Sequence, residues 1–304
     1  MTSTHDLWQR WLLESRHGGD SCYAEQVRLE LLPVRDEVLD RAALRPGDRL
    51  LDVGTGDGLI SFGALDRLGP AGRVIFSDVS AGLLDHCRAI AASAGQLARC
   101  EFVVASADRL TGIADSSVDV VTTRSVLIYV ADKGAAFAEF RRVLRPDGRV
   151  SIFEPINTLM HGDNRLFFGY DMQPVAEIAA KLGRWFDGIQ PPGKDPMVDF
   201  DDRDLVQLAE HAGFDTVRLD LRVSVTSRRS PVPWERFLRS SPNPKIPPLG
   251  AVLAKALTPA ELTALTGHLR PLVENGRGEH RRAVAYLTAS GQKGQRSAAA
   301  GPPG

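Results

Sequence analysis

Cysteine is scarce: Cys22, Cys87 and Cys100 are the only three in 304 residues, too few and too scattered for a disulfide framework or a zinc cluster. No metal is therefore expected. Surplus charge of either sign is also missing, since 37 Lys and Arg face 38 Asp and Glu for a formal net charge of -1. That balance removes the electrostatic footprint of a nucleic-acid binder or of a polybasic membrane patch. No apolar run approaches the roughly 18 residues that a membrane span needs. The opening Met1-Thr2-Ser3-Thr4-His5-Asp6 lacks the basic-then-apolar order of a signal peptide. A cytoplasmic protein, monomeric or homodimeric, is the expectation. What is present, 43% hydrophobic and 25% charged residues without internal repeats, suits one large globular domain or two small ones.

The chain is organised around Leu50-Leu51-Asp52-Val53-Gly54-Thr55-Gly56-Asp57-Gly58-Leu59-Ile60. An apolar run ends in an acid, passes through a loop with three glycines, and gives way to a helical pattern. This reads as a buried parallel strand, a tight turn and a helix whose N-terminus faces a ligand. From Arg49 onward strands and helices alternate, with strands expected at Arg49–Val53, Val74–Asp78, Glu101–Ala105, Val118–Thr123 and Arg149–Phe153. Such alternation predicts an α/β fold, a parallel sheet with right-handed crossovers and helices on both faces. Ligands bind outside the carboxyl ends of such strands. Four of those ends carry polar groups: Asp52 with its glycine loop, Asp78, Asp108, and Arg124-Ser125. Cys87 sits on the apolar face of its helix and reads as packing.

Outside this alternation the divisions are softer. Residues 1–45 read as a helical cap, with Pro33 kinking or splitting its second helix. Two readings of the cap stand: it packs on the domain, or Arg16 and Trp11 close over a ligand. A domain over 46–290 carries insertions at about 156–199 and 227–278, the second proline-rich and irregular until Thr258-Pro259-Ala260-Glu261 opens a helix. Further strands are expected at Asp215–Val225 and Arg281–Ala289, and residues 291–304 read as a disordered tail.

Asp78 lies twenty residues beyond Gly58, where a carboxylate accepts hydrogen bonds from ribose hydroxyls. A nicotinamide fingerprint wants glycine at position 59, which is Leu59. The string Leu51–Gly58, with Asp78, Ala107-Asp108 and Leu144-Arg145-Pro146-Asp147-Gly148-Arg149, resembles the class I S-adenosylmethionine-dependent methyltransferases, over roughly residues 45–155. Thr122-Thr123-Arg124-Ser125-Val126 is most similar to the quinone-biosynthesis and arsenite branches of that family. The resemblance implies a seven-stranded doubly wound sheet in the order 3-2-1-4-5-7-6 with the last strand antiparallel. It implies S-adenosyl-L-methionine as cofactor, held by Asp52, Gly54, Thr55, Gly56, Gly58, Asp78, Val79, Ala107, Asp108, Arg124 and Ser125, with Arg16 added from the cap. Asp78 would take the ribose, Ala107-Asp108 the adenine amino group, and Arg124 and Ser125 the carboxylate end.

Transfer of a sulfonium-activated methyl asks chiefly for in-line approach and exclusion of water. A hydroxyl acceptor gains from a general base, whereas an amine, thiol or stabilised carbon does not require one. Glu154, His161 and Tyr129 are the catalytic candidates, and these three with Tyr170 and Trp234 are the candidates for touching the acceptor. The aromatics of the insertions suit a flat or hydrophobic small molecule, or else pack against one another. A specialised metabolite or quinone-like aromatic is the expected acceptor, and the cysteines do not fit arsenite chemistry. Two other classes remain open: a protein that binds the cofactor without transferring methyl, and a dinucleotide-dependent oxidoreductase.

Overall fold

The computed structural model describes residues 6–159, 165–228 and 230–291. Seven strands form one sheet: β1 Arg49–Val53, β2 Arg73–Asp78, β3 Cys100–Val104, β4 Val118–Arg124, β5 Leu144–Pro155, β6 Thr216–Arg228 and β7 Gly278–Ser290. Their order is β3-β2-β1-β4-β5-β7-β6. The first five pair in parallel, and β7 runs antiparallel to both of its neighbours. The order implied by the family resemblance is therefore the order found. The β4–β5 register slips between Val118↔Leu144 and Val120↔Arg149, so residues 145–148 form an irregularity inside β5.

Alternate residues of the central strands feed opposite faces, as the period of two requires. Leu51, Val53 and Val121 join Phe137, Phe140 and Leu205 on one side, from helices α6 (Lys133–Val143) and α8 (Asp202–His211). Leu50, Val74 and Phe76 join Val38, Ile60 and Cys87 on the other, from α3 (Leu32–Arg41), α4 (Leu59–Arg67) and α5 (Ala81–Ser93). Cys87 is fully buried there, as expected of a packing residue.

The cap is α1 (Leu7–Arg10), a π-helical turn over Trp11–Ser15, and α2 (Ser21–Glu30), which stops where α3 begins with Pro33 in its first turn. Proline has no N–H to give and is tolerated only there, which splits what would be one helix into two. The second insertion is more regular than its proline content suggests. It contains α9 (Trp234–Arg239) and α10 (Leu249–Ala256), each entered through a proline, Pro233 and Pro248. With α7 (Ala176–Ile189) and α11 (Pro259–Glu274) they enclose a separate apolar core of Phe167, Tyr170, Trp234, Phe237, Leu253 and Leu269. The tail from residue 292 onward lies outside the described residues.

Candidate functional site

β1 delivers the chain into the glycine loop with Asp52 already fully buried. Its carboxylate accepts from Ser61 Oγ at 2.6 Å and Thr122 Oγ1 at 2.9 Å, tying β1 to α4 and β4. Burial pushes its pKa up to about 6 against the pull of those hydroxyls. Thr55 closes the network by a 2.7 Å hydroxyl contact with Ser61. Asp52 and Thr55 thus shape the loop from beneath and do not line the cavity above it.

Gly54, Gly56 and Gly58 all take positive φ, 65°, 58° and 83°. A Cβ on Gly54 would stand 2.4 Å from Val126 Cγ2, and one on Gly56 would stand 3.2 Å from Leu12 Cδ2. The loop is therefore pressed between the end of β4 and the cap, and only glycine satisfies both its conformation and its space. Gly58, whose Cβ would meet Phe62, starts α4 and stays off the cavity. Gly69 has the same φ of 65° with nothing within 4 Å, so it serves as a control. We expect Gly69→Ala to cost about 1 kcal/mol. Gly54→Ala should cost a further ~1–3 kcal/mol through overpacking and weaken cofactor binding; paired urea melts check this, and equal losses would show that the loop yields.

Over the loop lies a cavity of about 220 Å³. Val53, Gly54 and Gly56 form its floor; Asp78, Val79 and Leu83 one wall; Ala105, Ser106, Ala107 and Asp108 the next. Arg124, Ser125, Val126 and Tyr129 close the far end, and Trp8, Trp11, Leu12 and Arg16 of the cap cover it. Asp78 Oδ2 accepts from the Gly56 amide and Oδ1 from the Ser80 amide, each at 2.9 Å. Burial raises the Asp78 pKa and these amides oppose it. Each oxygen keeps a lone pair for a ligand. Asp108 accepts from Ser106 Oγ.

Ser125, at the end of β4, has a φ of 57°, a strained value for a residue with a side chain. The turn it makes aims three successive amides at one carboxylate. Val126 and Leu127 donate to Glu154 Oε1 at 2.8 and 2.9 Å, and Ile128 donates to Oε2 at 3.4 Å. Glu154 is wholly buried and does not line the cavity. Burial pushes its pKa up to about 7 and outweighs the three amides. Tyr129 follows in the same turn, edge-on to Trp8 with ring centroids 4.9 Å apart. Its phenol is pushed up to about 12, mainly by burial, so it stays protonated.

Of the other candidates, Tyr170 and Trp234 belong to the insertion core, both packed against Phe237 at 5.9 and 5.5 Å. They do not reach the cavity. His161 lies outside the described residues. Sequence reading missed Trp8, Leu12, Ser106 and Val126. Trp8 was signalled by its spacing of three from Trp11, but nothing local marks Val126 as the residue that packs on Gly54.

Residues 51–152 match the model of the methyltransferase domain family. The chain carries a methyltransferase domain. Within curated proteins it is similar to nocamycin O-methyltransferase of Saccharothrix syringae, 36% identical over 124 residues, 41% of this chain and 44% of that protein. It is similar also to the UbiE ubiquinone/menaquinone biosynthesis C-methyltransferase of Xanthomonas oryzae pv. oryzae, 35% identical over 113 residues, 37% of this chain and 44% of that one. The chain thus matches less than half the length of either relative. Among solved structures, the [4+2]-cyclase SpnF shares the fold with a TM-score of 0.50 and 20% identity, covering 86% of this chain and 82% of that one. The methyltransferase domain match contains every strand-borne residue of the cavity. It excludes the cap residues Trp8, Trp11, Leu12 and Arg16, and both insertions.

Proposed function

We infer that this chain binds S-adenosyl-L-methionine in the cavity over the glycine loop and directs its methyl to a small-molecule acceptor. The observation that carries the reading is Asp78: one carboxylate fixes the glycine loop through Gly56 and keeps lone pairs facing the cavity beside it. That arrangement fits a ribose whose hydroxyls donate to an acid while the backbone comes close without Cβ atoms. Ala107 and Asp108 line the adenine end in this reading. Arg124 and Ser125 take the carboxylate end, since Val53↔Thr123 pairing sets Arg124 across from Gly54.

When bound, the cofactor supplies a methyl on a positively charged sulfur. The protein's part is to orient and to exclude water. Trp8, Trp11 and Leu12 cover the cavity with apolar surface. Glu154 acts as a positioning residue, because the hydrogen bonds it accepts from three backbone amides hold the turn that presents Ser125 and Tyr129. Tyr129, protonated, donates or accepts a hydrogen bond and does not serve as a base. The relatives named above are an O- and a C-methyltransferase, so the matched segment leaves the methylated atom open. A specialised metabolite or quinone-like acceptor remains our reading of the small, aromatic-walled acceptor side.

The test is transfer of label from methyl-labelled S-adenosylmethionine into a size-fractionated extract of the source cells. Label in the small-molecule fraction is the expected result. Label confined to protein or nucleic acid would sink the small-molecule reading. Calorimetric binding of S-adenosylhomocysteine without any label would favour a protein that binds and does not transfer.

A further inference from the structure

Arg16 and Arg124 line the same cavity. Among the described residues neither guanidinium has a carboxylate within ion-pair distance. Other partly buried arginines do have one: Arg149 is paired with Asp48 at 2.5 Å and Arg236 with Asp20 of the cap at 3.3 Å. Asp57 acts on Arg16 only through space, and Arg124 opposes it. Two half-buried cations facing one space call for anionic charge there.

The proposed cofactor brings one carboxylate, along with an ammonium and a sulfonium, and so can answer one guanidinium. Arg124 is the one across the strand register from Gly54. Arg16 comes from the cap, with its guanidinium over the Trp11 ring at 5.2 Å and its charge felt by Tyr129. Trp8, Trp11 and Tyr129 meet edge-on at 4.9 to 6.4 Å, forming an apolar aromatic wall beside it. Among the described residues that line the cavity, none stands free as a base on this side. Asp78 holds the loop and, in the reading above, the ribose; Asp108 accepts from Ser106 and lines the adenine end; and Tyr129 keeps its proton.

We propose that the acceptor is an acidic, flat apolar molecule bound as its oxyanion, with Arg16 as its counter-charge in place of a general base. The proposal rests on the methyl-transfer reading. An acceptor that arrives deprotonated completes the chemistry without proton transfer. Its oxygen bonds to the methyl carbon, the carbon–sulfur bond breaks with its electron pair left on sulfur, and one negative and one positive charge disappear together. The fit also reassigns Arg16 from the cofactor, where the sequence had put it, to the acceptor.

Calorimetry on the full chain saturated with S-adenosylhomocysteine tests this with two matched pairs of probes. Benzoate is compared with benzamide, and 4-nitrophenolate, at a pH where it is ionised, with 4-nitroanisole. The expected result is that the anions bind about tenfold or more tightly than their neutral partners. Arg16→Gln abolishes that preference, Arg16→Lys keeps most of it, and both variants hold S-adenosylhomocysteine within about threefold of wild type. Anions binding no tighter than their neutral partners would overturn the proposal. So would a loss of about tenfold in S-adenosylhomocysteine affinity in Arg16→Gln, which would return Arg16 to the cofactor. A wild-type protein that fails to bind S-adenosylhomocysteine brings down the cofactor reading, and this proposal with it, before any acid is added.

Discussion

Asp78→Ala is expected to abolish measurable binding of S-adenosylhomocysteine while leaving the chain folded. Two losses combine. The ligand's ribose hydroxyls lose a charged acceptor, and hydrogen bonds to charged groups are worth roughly 1.5–3 kcal/mol each. The Gly56 and Ser80 amides lose the carboxylate that holds them at 2.9 Å, so the loop is free to leave the geometry that the ligand needs. Together these weaken binding on the order of 100- to 1,000-fold. Asp78→Asn separates them. An amide oxygen still accepts from one backbone N–H, so the loop is partly held while the charge is gone. Calorimetry should place its affinity between wild type and Asp78→Ala. An Asp78→Asn protein as weak as the alanine variant would mean that charge, and not loop order, carries the effect. Wild-type affinity in Asp78→Ala would remove the ribose assignment.

The core of this site was legible because its determinants are local. Arg49–Val53 lies at the same residues in sequence expectation and in structure, since a buried parallel strand writes itself as a short apolar run stopped by an acid and glycine. Pro33 likewise announced a break that the chain makes. Helices α9 and α10 were read as irregular because prolines surround them. Their buried faces, Trp234 and Phe237 or Leu249, Val252 and Leu253, nonetheless follow helical spacing. What could not be read is contact between distant segments. Tyr170 and Trp234 are 64 residues apart and both satisfy Phe237, and no pattern within either segment says that they turn away from the cavity. Trp11 reaches Ser241 O with its indole N–H at 3.1 Å, a link between cap and second insertion that is equally silent in sequence.

Glu154 is the case where position was legible and role was not. An acid at the end of the strand beside β4 is well placed to face a ligand, but successive residues of a strand point to opposite sides, and this one points into the protein. We expect Glu154→Ala to lose about 3 kcal/mol or more of stability, because Leu127 and Ile128 would be left as buried donors, and Val126 as a half-buried one, without an acceptor. Cofactor affinity should fall with it, since the same turn carries Ser125 and Tyr129. Glu154→Gln keeps one acceptor oxygen and should recover much of both. The pH dependence has a definite sign. The folded-state pKa is about 7, above the roughly 4.3 of an unfolded glutamate, so between these values the folded chain binds the extra proton. Stability from this group is full below the lower value and is lost as pH rises through the upper one. Wild type should therefore lose on the order of 3 kcal/mol relative to Glu154→Gln between pH ~4 and ~8. Asp52, raised in the same direction, is common to both proteins and cancels. Urea melts of the pair across that range give the answer. A flat difference would mean that the three amides keep Glu154 ionised throughout. Unchanged stability and cofactor affinity in Glu154→Ala, with methyl transfer alone abolished, would instead make it a residue of the reaction.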